Sequence, residues 1–304
     1  MVANFENLPG WQSMFPDTVA GDGLRMAREV GAEVRLIHNN HAVFLGFRNP
    51  EEQNPVCRLS GIQELTARHT IMVNRAGQRF ADETFFQAIA PTLGLFDVKA
   101  RRQPNLPCFL IFDAQYGAGA SFAGRPPGAP IPDWVTRAET PPALAVRLGI
   151  DADGLSATLA RFNADARAGR DTVFQRGESS WGQARIGASL GTLERAPFYG
   201  IELHPTAIGS AGLLADPSGR VMGLRGRPIP GLYAVGNAAA HTEYGSGYQT
   251  GFSLASGMVF GLLAARDIAM ARILGLGFIG GMANGSHCQQ HHLAMAAGSM
   301  IHGR

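Results

Sequence analysis

Lysine is almost missing: Lys99 stands alone among 304 residues, and arginine supplies the other positive charges. The net charge is only +2, and no basic run or aromatic-interleaved basic stripe appears, so nucleic acid is not an expected partner. Cysteine is scarce too. Cys57, Cys108 and Cys288 are too few and too scattered for a disulfide framework or a zinc site, and a reducing cytoplasm is the expected location. Residues 1–6 show neither the basic start nor the apolar stretch of a signal peptide. Long apolar runs are also few. The most apolar, residues 251–265, stops at Arg266 and Asp267, which predicts a buried core helix and not a membrane span. Near the N-terminus no Gly-x-Gly-x-x-Gly phosphate-binding word is present.

What is present is glycine, 39 of them, with 45% hydrophobic and 16% charged residues, the balance of a globular chain rich in tight turns. Leu24, Met26, Ala27 and Val30 have helical spacing, with Gly31 as the C-terminal cap. Residues 71–74 and 109–113 read as strands, and the latter ends in Asp113. Asp151 is placed to cap a helix carrying Leu155, Thr158, Leu159 and Phe162 on one face. Residues 117–132 read as a Pro/Gly-rich loop and 165–183 as polar surface. From Pro197 onward the texture is strands 198–203, 221–222 and 232–235, a turn at 216–219, and a helix over about 251–268. Residues 273–304 fit none of this. Their His287, Cys288, His291, His292 and His302 suit a soft metal, but lack regular ligand spacing; the expectation is a disordered tail.

The most informative words are Gly231-Leu-Tyr-Ala-Val-Gly-Asn237 and Gly245-Ser-Gly-Tyr-Gln-Thr-Gly251. They read as a strand ending in a glycine turn, then a glycine-rich loop feeding a helix. A helix N-terminus carries free N–H groups and about half a positive charge, which suits a ligand that gains negative charge on reduction, such as a flavin. Gly247 and Gly251 leave the backbone bare for close approach. A turn that merely joins strand to helix meets the same pattern. Arg75, Arg79 and Glu83 follow a strand, as a salt-bridged hairpin would.

The chain resembles the flavoproteins of the fumarate reductase/succinate dehydrogenase type, and their 3-ketosteroid dehydrogenase branch most of all. The resemblance rests on ordered words: Gly21-Asp-Gly23, Gly31-Ala32, residues 73–80 with Glu83, Phe112-Asp113, and residues 144–163. It continues through Gly169-Arg-Asp171, Arg176-Gly177, residues 196–199, Gly212-Leu213, and Gly226 to Asn237. Together they cover about residues 3 to 270. The resemblance implies an α/β (α+β) fold, with an incomplete FAD-binding domain of the glutathione-reductase-like kind and an inserted substrate-capping domain. It assigns 1–55 and 193–272 to the FAD-binding part and 56–192 to the cap.

By the same resemblance the cofactor is FAD, held by Gly236, Asn237, Gly247, Gly251, Ser253 and Leu254. The activity implied is oxidoreduction across a C–C bond beside a carbonyl, with hydride passing to flavin N5. Tyr248, or Tyr244 as the fallback four residues earlier, would exchange the proton, and the Gly251 N–H would stabilise the enolate. Tyr248 lies three residues before Gly251, one position off the spacing expected for that branch. Fumarate and succinate enzymes of the family carry a His pair and an Arg that bind dicarboxylate. Here 207–213 and 241–247 hold neither, so the expected substrate is a hydrophobic ketone such as a 3-ketosteroid. His204 and His241 are further polar candidates. The rival expectation is a truncated, non-catalytic remnant, or a subunit that needs a partner chain or oligomer to bind FAD.

Overall fold

The computed structural model describes Gly10, Gln12 and Phe15 together with residues 18–36, 43–51, 57–59, 63–179, 189–207, 211–240 and 251–273. In chain order its elements are α1 (Asp22–Glu29), β1 (Val34–Leu36), β2 (Val43–Arg48), β3 (Cys57–Leu59), β4 (Thr70–Asn74) and α2 (Phe86–Leu93). Then come β5 (Cys108–Asp113), α3 (Ala114–Gly119), β6 (Thr136–Ala138), α4 (Pro141–Leu148) and α5 (Ala152–Ala168). The chain ends in β7 (Phe198–Ala207), β8 (Ala211–Leu213), β9 (Arg220–Met222), β10 (Pro228–Tyr233) and α6 (Phe252–Ile273). Two units form: Met1–Asp17 with His41–Ile208, and Thr18–Asn40 with Gly209–Arg304.

The first unit is built on an antiparallel sheet in the order β3-β2-β7-β5-β4, with β6 also paired to β7. β4 and β5 are buried along their whole length, so both faces of the sheet are covered. Ile71, Val73, Phe109 and Ile111 point to one side and pack with Leu144 of α4 and Leu155, Leu159 and Phe162 of α5. This is the apolar face read from the sequence, and Asp151 caps α5 as expected, accepting from the Gly154 N–H at 2.6 Å. On the other side Phe47, Phe112, Phe122 and Trp134 stack, with ring centroids 5.2 Å apart for Phe47–Phe122 and for Phe112–Phe122. Asp113, at the end of β5, is buried and accepts from the N–H groups of Gln115, Glu194 and Arg195 at 2.8–2.9 Å, so it fastens chain segments together.

Residues 165–179 are largely the surface that their composition suggested, but three of their charged side chains turn inward. Asp165, Asp171 and Arg176 are buried. Arg79 pairs with Glu83 at 2.7 Å and with Asp171 at 2.8 Å, and Arg176 comes within 3.5 Å of Glu83. Arg176 also donates to the carbonyls of Leu65, Ala67 and Thr70 and to Ser189 Oγ, at 2.6–3.1 Å. Burial alone would raise the Glu83 carboxyl, but Arg79 and then Arg176 hold it below its ordinary value. Two arginines and two carboxylates thus cancel one another inside the unit. Arg79 is therefore part of a buried network with no free charge to offer, and no periodicity in the chain announces it. Arg75 stays exposed.

One joint in this unit tolerates no side chain. The turn after β4 lies on the first turn of α5, and Asp151 N–H donates to the Arg75 carbonyl at 2.8 Å. Gly77 has φ +70°, and a Cβ there would sit 2.7 Å from the Gly154 carbonyl carbon and 2.8 Å from Leu155 Cα. Gly77→Ala should therefore cost more than the roughly 1 kcal/mol usual for a point substitution. A urea midpoint unchanged from the parent would show that the backbone yields easily there.

The second unit holds α1, β1 paired with β8, and β9 paired with β10, all antiparallel. Gly31, at φ +85°, closes α1, with Ala32 N–H reaching back to the Ala27 carbonyl at 3.0 Å. A small core of Ala27, Ala32, Leu213, Val221 and Ala234 lies between these elements. α6 corrects an expectation: residues 251–265 do not make a buried core helix. Only 11% of its most apolar window is buried, and Ser253–Arg272 is long and apolar enough to cross a membrane by length and composition. The tail expected to be disordered, 274–304, lies outside the described residues.

Candidate functional site

The strand, the turn and the helix predicted to meet a ligand are all in the second unit. Asp216 opens the β9 hairpin by accepting from the Ser218 and Arg220 N–H groups at 2.9 and 3.0 Å. Gly219 follows at φ +78°, and its carbonyl accepts from the Ala234 N–H at 2.9 Å, which fixes the end of β10. Val235 is extended, and the chain then turns sharply through a short 3₁₀ segment, Gly236–Ala238. Gly236 has φ +58°, a left-handed value that favours glycine. Ala240 N–H returns to the Leu213 carbonyl at 2.8 Å. Gly212 makes that return possible: a Cβ there would collide with the Ala239 carbonyl and the Ala240 nitrogen.

α6 approaches this turn backbone to backbone. A Cβ on Gly236 would lie 3.6 Å from Gly257 Cα, and one on Gly257 would lie 3.7 Å from Gly236 Cα. Gly257 is one helical turn beyond Ser253, about 6 Å along the axis. The start of α6 is thereby held close to the glycine turn. Gly251, at φ +87°, accepts the first helical bond, from Ala255 N–H at 3.0 Å, with open space around its Cα. The N–H groups of Phe252, Ser253 and Leu254 precede the helical ladder and have no acceptor within it. No acidic side chain stands in the first turn of α6 to occupy them.

Two cavities flank the turn. One, of about 60 Å³, is lined by Gly23, Leu24, Ala211, Tyr233, Asn237 and Ala238. The other, of about 250 Å³, is lined by Asp216, Pro217, Gly219, Val235, Gly236 and Phe260, among others. Gly236 and Asn237 thus line opposite cavities, while Ser253 and Leu254 begin α6, with Leu254 62% exposed. Gly247, Tyr244 and Tyr248 lie outside the described residues, as does His241. His204 is in the first unit, on β7, 3.9 Å from Glu202; burial lowers its pKa.

The arrangement can bring a flat, anionic group against bare N–H groups without a side chain intervening. That fits the flavin end of FAD. Neither cavity is lined by a cationic side chain. The described residues also contain no cluster of three metal-ligating side chains.

Sequence reasoning quoted Gly212 but missed why it must be glycine, because that shows only when the opposing backbone of Ala239 and Ala240 is known. It also missed an anchor at the far end of α6. Asp267 accepts from Arg220 Nε at 2.8 Å and from the Tyr233 hydroxyl at 2.7 Å. Partial burial and then this carboxylate push the Tyr233 phenol up to about 12. Tyr233 is accordingly a fastening of the helix to β10.

Residues 4–259 match the model of the FAD binding domain family. The chain is 37% identical over 265 residues to 4-oxocyclohexanecarboxylate 2-dehydrogenase of Sinomonas cyclohexanicum, covering 84% of this chain and 46% of that protein. It is 33% identical over 270 residues to 3-oxosteroid 1-dehydrogenase of Mycobacterium tuberculosis, covering 82% and 46%. Among solved structures it is similar to a 3-ketosteroid Δ1-dehydrogenase from Sterolibacterium denitrificans in complex with 1,4-androstadiene-3,17-dione. There the identity is 28% and the TM-score 0.74, covering 86% of this chain and 48% of that one. A flavocytochrome c3 fumarate reductase shares the fold, with 21% identity and a TM-score of 0.56 over 88% of this chain and 43% of that one. The chain spans about half the length of the curated relatives it matches. The glycine turn against α6 and the match over residues 4–259 lead to one assignment: this chain belongs to the FAD binding domain family.

Proposed function

We propose that this chain serves an FAD-dependent dehydrogenase that removes a hydrogen pair from a C–C bond beside the carbonyl of a hydrophobic cyclic ketone. What carries the reading is the bare-backbone contact of Gly236 with Gly257, in a chain that resembles two dehydrogenases of ring ketones. FAD, when bound, supplies the hydride acceptor. The second unit belongs to the FAD-binding part, with Gly236, Asn237, Gly247 and the N–H groups of Ser253 and Leu254 as its contacts. Tyr248, with Tyr244 as the alternative, takes the proton from the carbon next to the carbonyl. The Gly251 N–H donates to the carbonyl oxygen as it gains charge, a contribution that is strongest when water is excluded. A 3-ketosteroid is the substrate of this class that we favour, and the cytoplasm the location.

A dicarboxylate is the poorer fit, since a buried carboxylate needs an arginine fork or an equivalent clamp to offset its desolvation. The second reading is a subunit that is inactive until another chain completes the FAD site, and the absence of cationic lining from both cavities favours it. The purified 304-residue chain should retain little flavin through gel filtration. Each missing charged hydrogen bond to the diphosphate should weaken binding by about 1.5–3 kcal/mol. With FAD added and a redox dye as acceptor, a 3-ketosteroid should be oxidised and fumarate left unreduced by the reduced dye. A stoichiometric yellow protein would overturn the weak binding. Fumarate reduction without enone formation would overturn the substrate class.

A further inference from the structure

We infer that residues 95–102, a turn of the first unit, are a docking surface for an anionic lipid bilayer. The inference stands apart from the flavin reading. Leu95, Phe96 and Val98 are 55%, 58% and 80% exposed, and Lys99, Arg101 and Arg102 are exposed beside them. The turn is firmly held. Asp97 N–H donates to the Arg102 carbonyl at 2.8 Å, and Arg102 N–H returns to the Asp97 carbonyl at 3.3 Å. The Asp97 carboxylate accepts from the N–H groups of Lys99 and Ala100 at 2.9 Å, so the turn's only acid serves its own backbone. Leu93, fully buried, and Asn105, which donates to the Thr92 carbonyl at 2.9 Å and accepts from Asn74 at 3.1 Å, fix its base. Among the described residues no ion pair engages Lys99, Arg101 or Arg102.

Charge decides what covers this turn. A protein surface that buried Leu95, Phe96 and Val98 would have to enclose three cations as well, and a buried cation without a carboxylate is costly. A bilayer surface meets both demands at once. Large apolar side chains pass into the boundary between headgroups and acyl chains, while Lys and Arg lie among the phosphates on long flexible stems. Each such cation strengthens attachment to an anionic leaflet roughly fivefold. Each large apolar side chain taken out of water adds roughly tenfold or more. The backbone of the turn is already closed before contact, so little further ordering opposes attachment.

The test is co-sedimentation of the full chain with phosphatidylcholine vesicles, with and without about a quarter phosphatidylglycerol, at roughly 0.05 and 0.5 M salt. Binding is expected to the vesicles that hold phosphatidylglycerol at low salt, and should weaken at least roughly tenfold at high salt or without the anionic lipid. Phe96→Ser with Val98→Ser should weaken it by at least roughly tenfold. Lys99→Gln with Arg101→Asn should do the same, asparagine being suited to the left-handed φ of +54° at that position. Far-ultraviolet circular dichroism should be unchanged in both. Val98→Ser alone, at the most exposed position of the turn, should weaken binding several-fold and keeps the test decisive should either pair misfold. No binding to either kind of vesicle would overturn the inference. So would binding that ignores these substitutions, which would place the lipid contact elsewhere, on α6 for instance. Capture of polyglutamate by the parent but not by the charge variant, with vesicles left unbound, would assign the turn to an acidic protein and overturn it too.

Discussion

Arg176→Met should lower the free energy of unfolding by about 3–5 kcal/mol, the range seen when one member of a buried ion pair is removed. The side chain is fully enclosed, and methionine fills much of its volume, so the loss comes from charge and hydrogen bonding more than from a cavity. Three carbonyls, of Leu65, Ala67 and Thr70, would lose the guanidinium, with Thr70 Oγ1 still donating to the first two. Glu83 would keep Arg79 as its cation and the Met72 N–H as a donor. For a domain whose total stability is of the order of 5–15 kcal/mol, that is enough to reduce the soluble yield sharply. Urea unfolding followed by circular dichroism measures it. A loss under about 1 kcal/mol would mean that water takes over the work of the guanidinium. Adding Glu83→Gln to the variant should cost less than the two single losses combined, because the uncompensated negative charge disappears.

Tyr248→Phe should reduce ketone oxidation by about 10²- to 10⁴-fold, the contribution typical of a general acid or base, with the fold and flavin affinity unchanged. The ring stays and the proton carrier goes. The assay is turnover with a redox dye under saturating FAD, in whatever assembly is shown to be active. A residue that only packs would behave oppositely, tolerating phenylalanine and failing on truncation to alanine. If Tyr244→Phe shows the large loss instead, the proton carrier moves by four residues and the chemistry stands. If neither phenylalanine variant slows turnover, no tyrosine of this loop handles the proton.

Where local signals and tertiary packing agree, the sequence was a good guide. Asp151 caps α5, Gly31 ends α1, and Leu155, Leu159 and Phe162 mark the face that becomes core. The FAD assignment was legible from ordered words around Gly212 and Gly226 to Asn237. The failures share a cause. Asp171 and Arg176 look solvated because charge usually is and their neighbours in sequence are, and only their partners 80 or more residues away in Arg79, Glu83 and Thr70 reveal that these two are interior. α6 looks like a core helix because its composition is that of one, and composition does not say whether this chain brings the atoms that bury it. The need for glycine at 212 is set by a backbone met from elsewhere in the chain.

The enclosed guanidinium of Arg176 has a consequence for residues 63–69, a stretch of turns between strands with no ladder of its own. Its carbonyls are gathered by one side chain, and Glu64, Leu65 and Thr66 are interior. An irregular loop would ordinarily be where a protease cuts first and where amide protons exchange within seconds. This one is held by burial of Glu64, Leu65 and Thr66 and by the guanidinium on its carbonyls, so nicking of the native chain is expected to begin elsewhere.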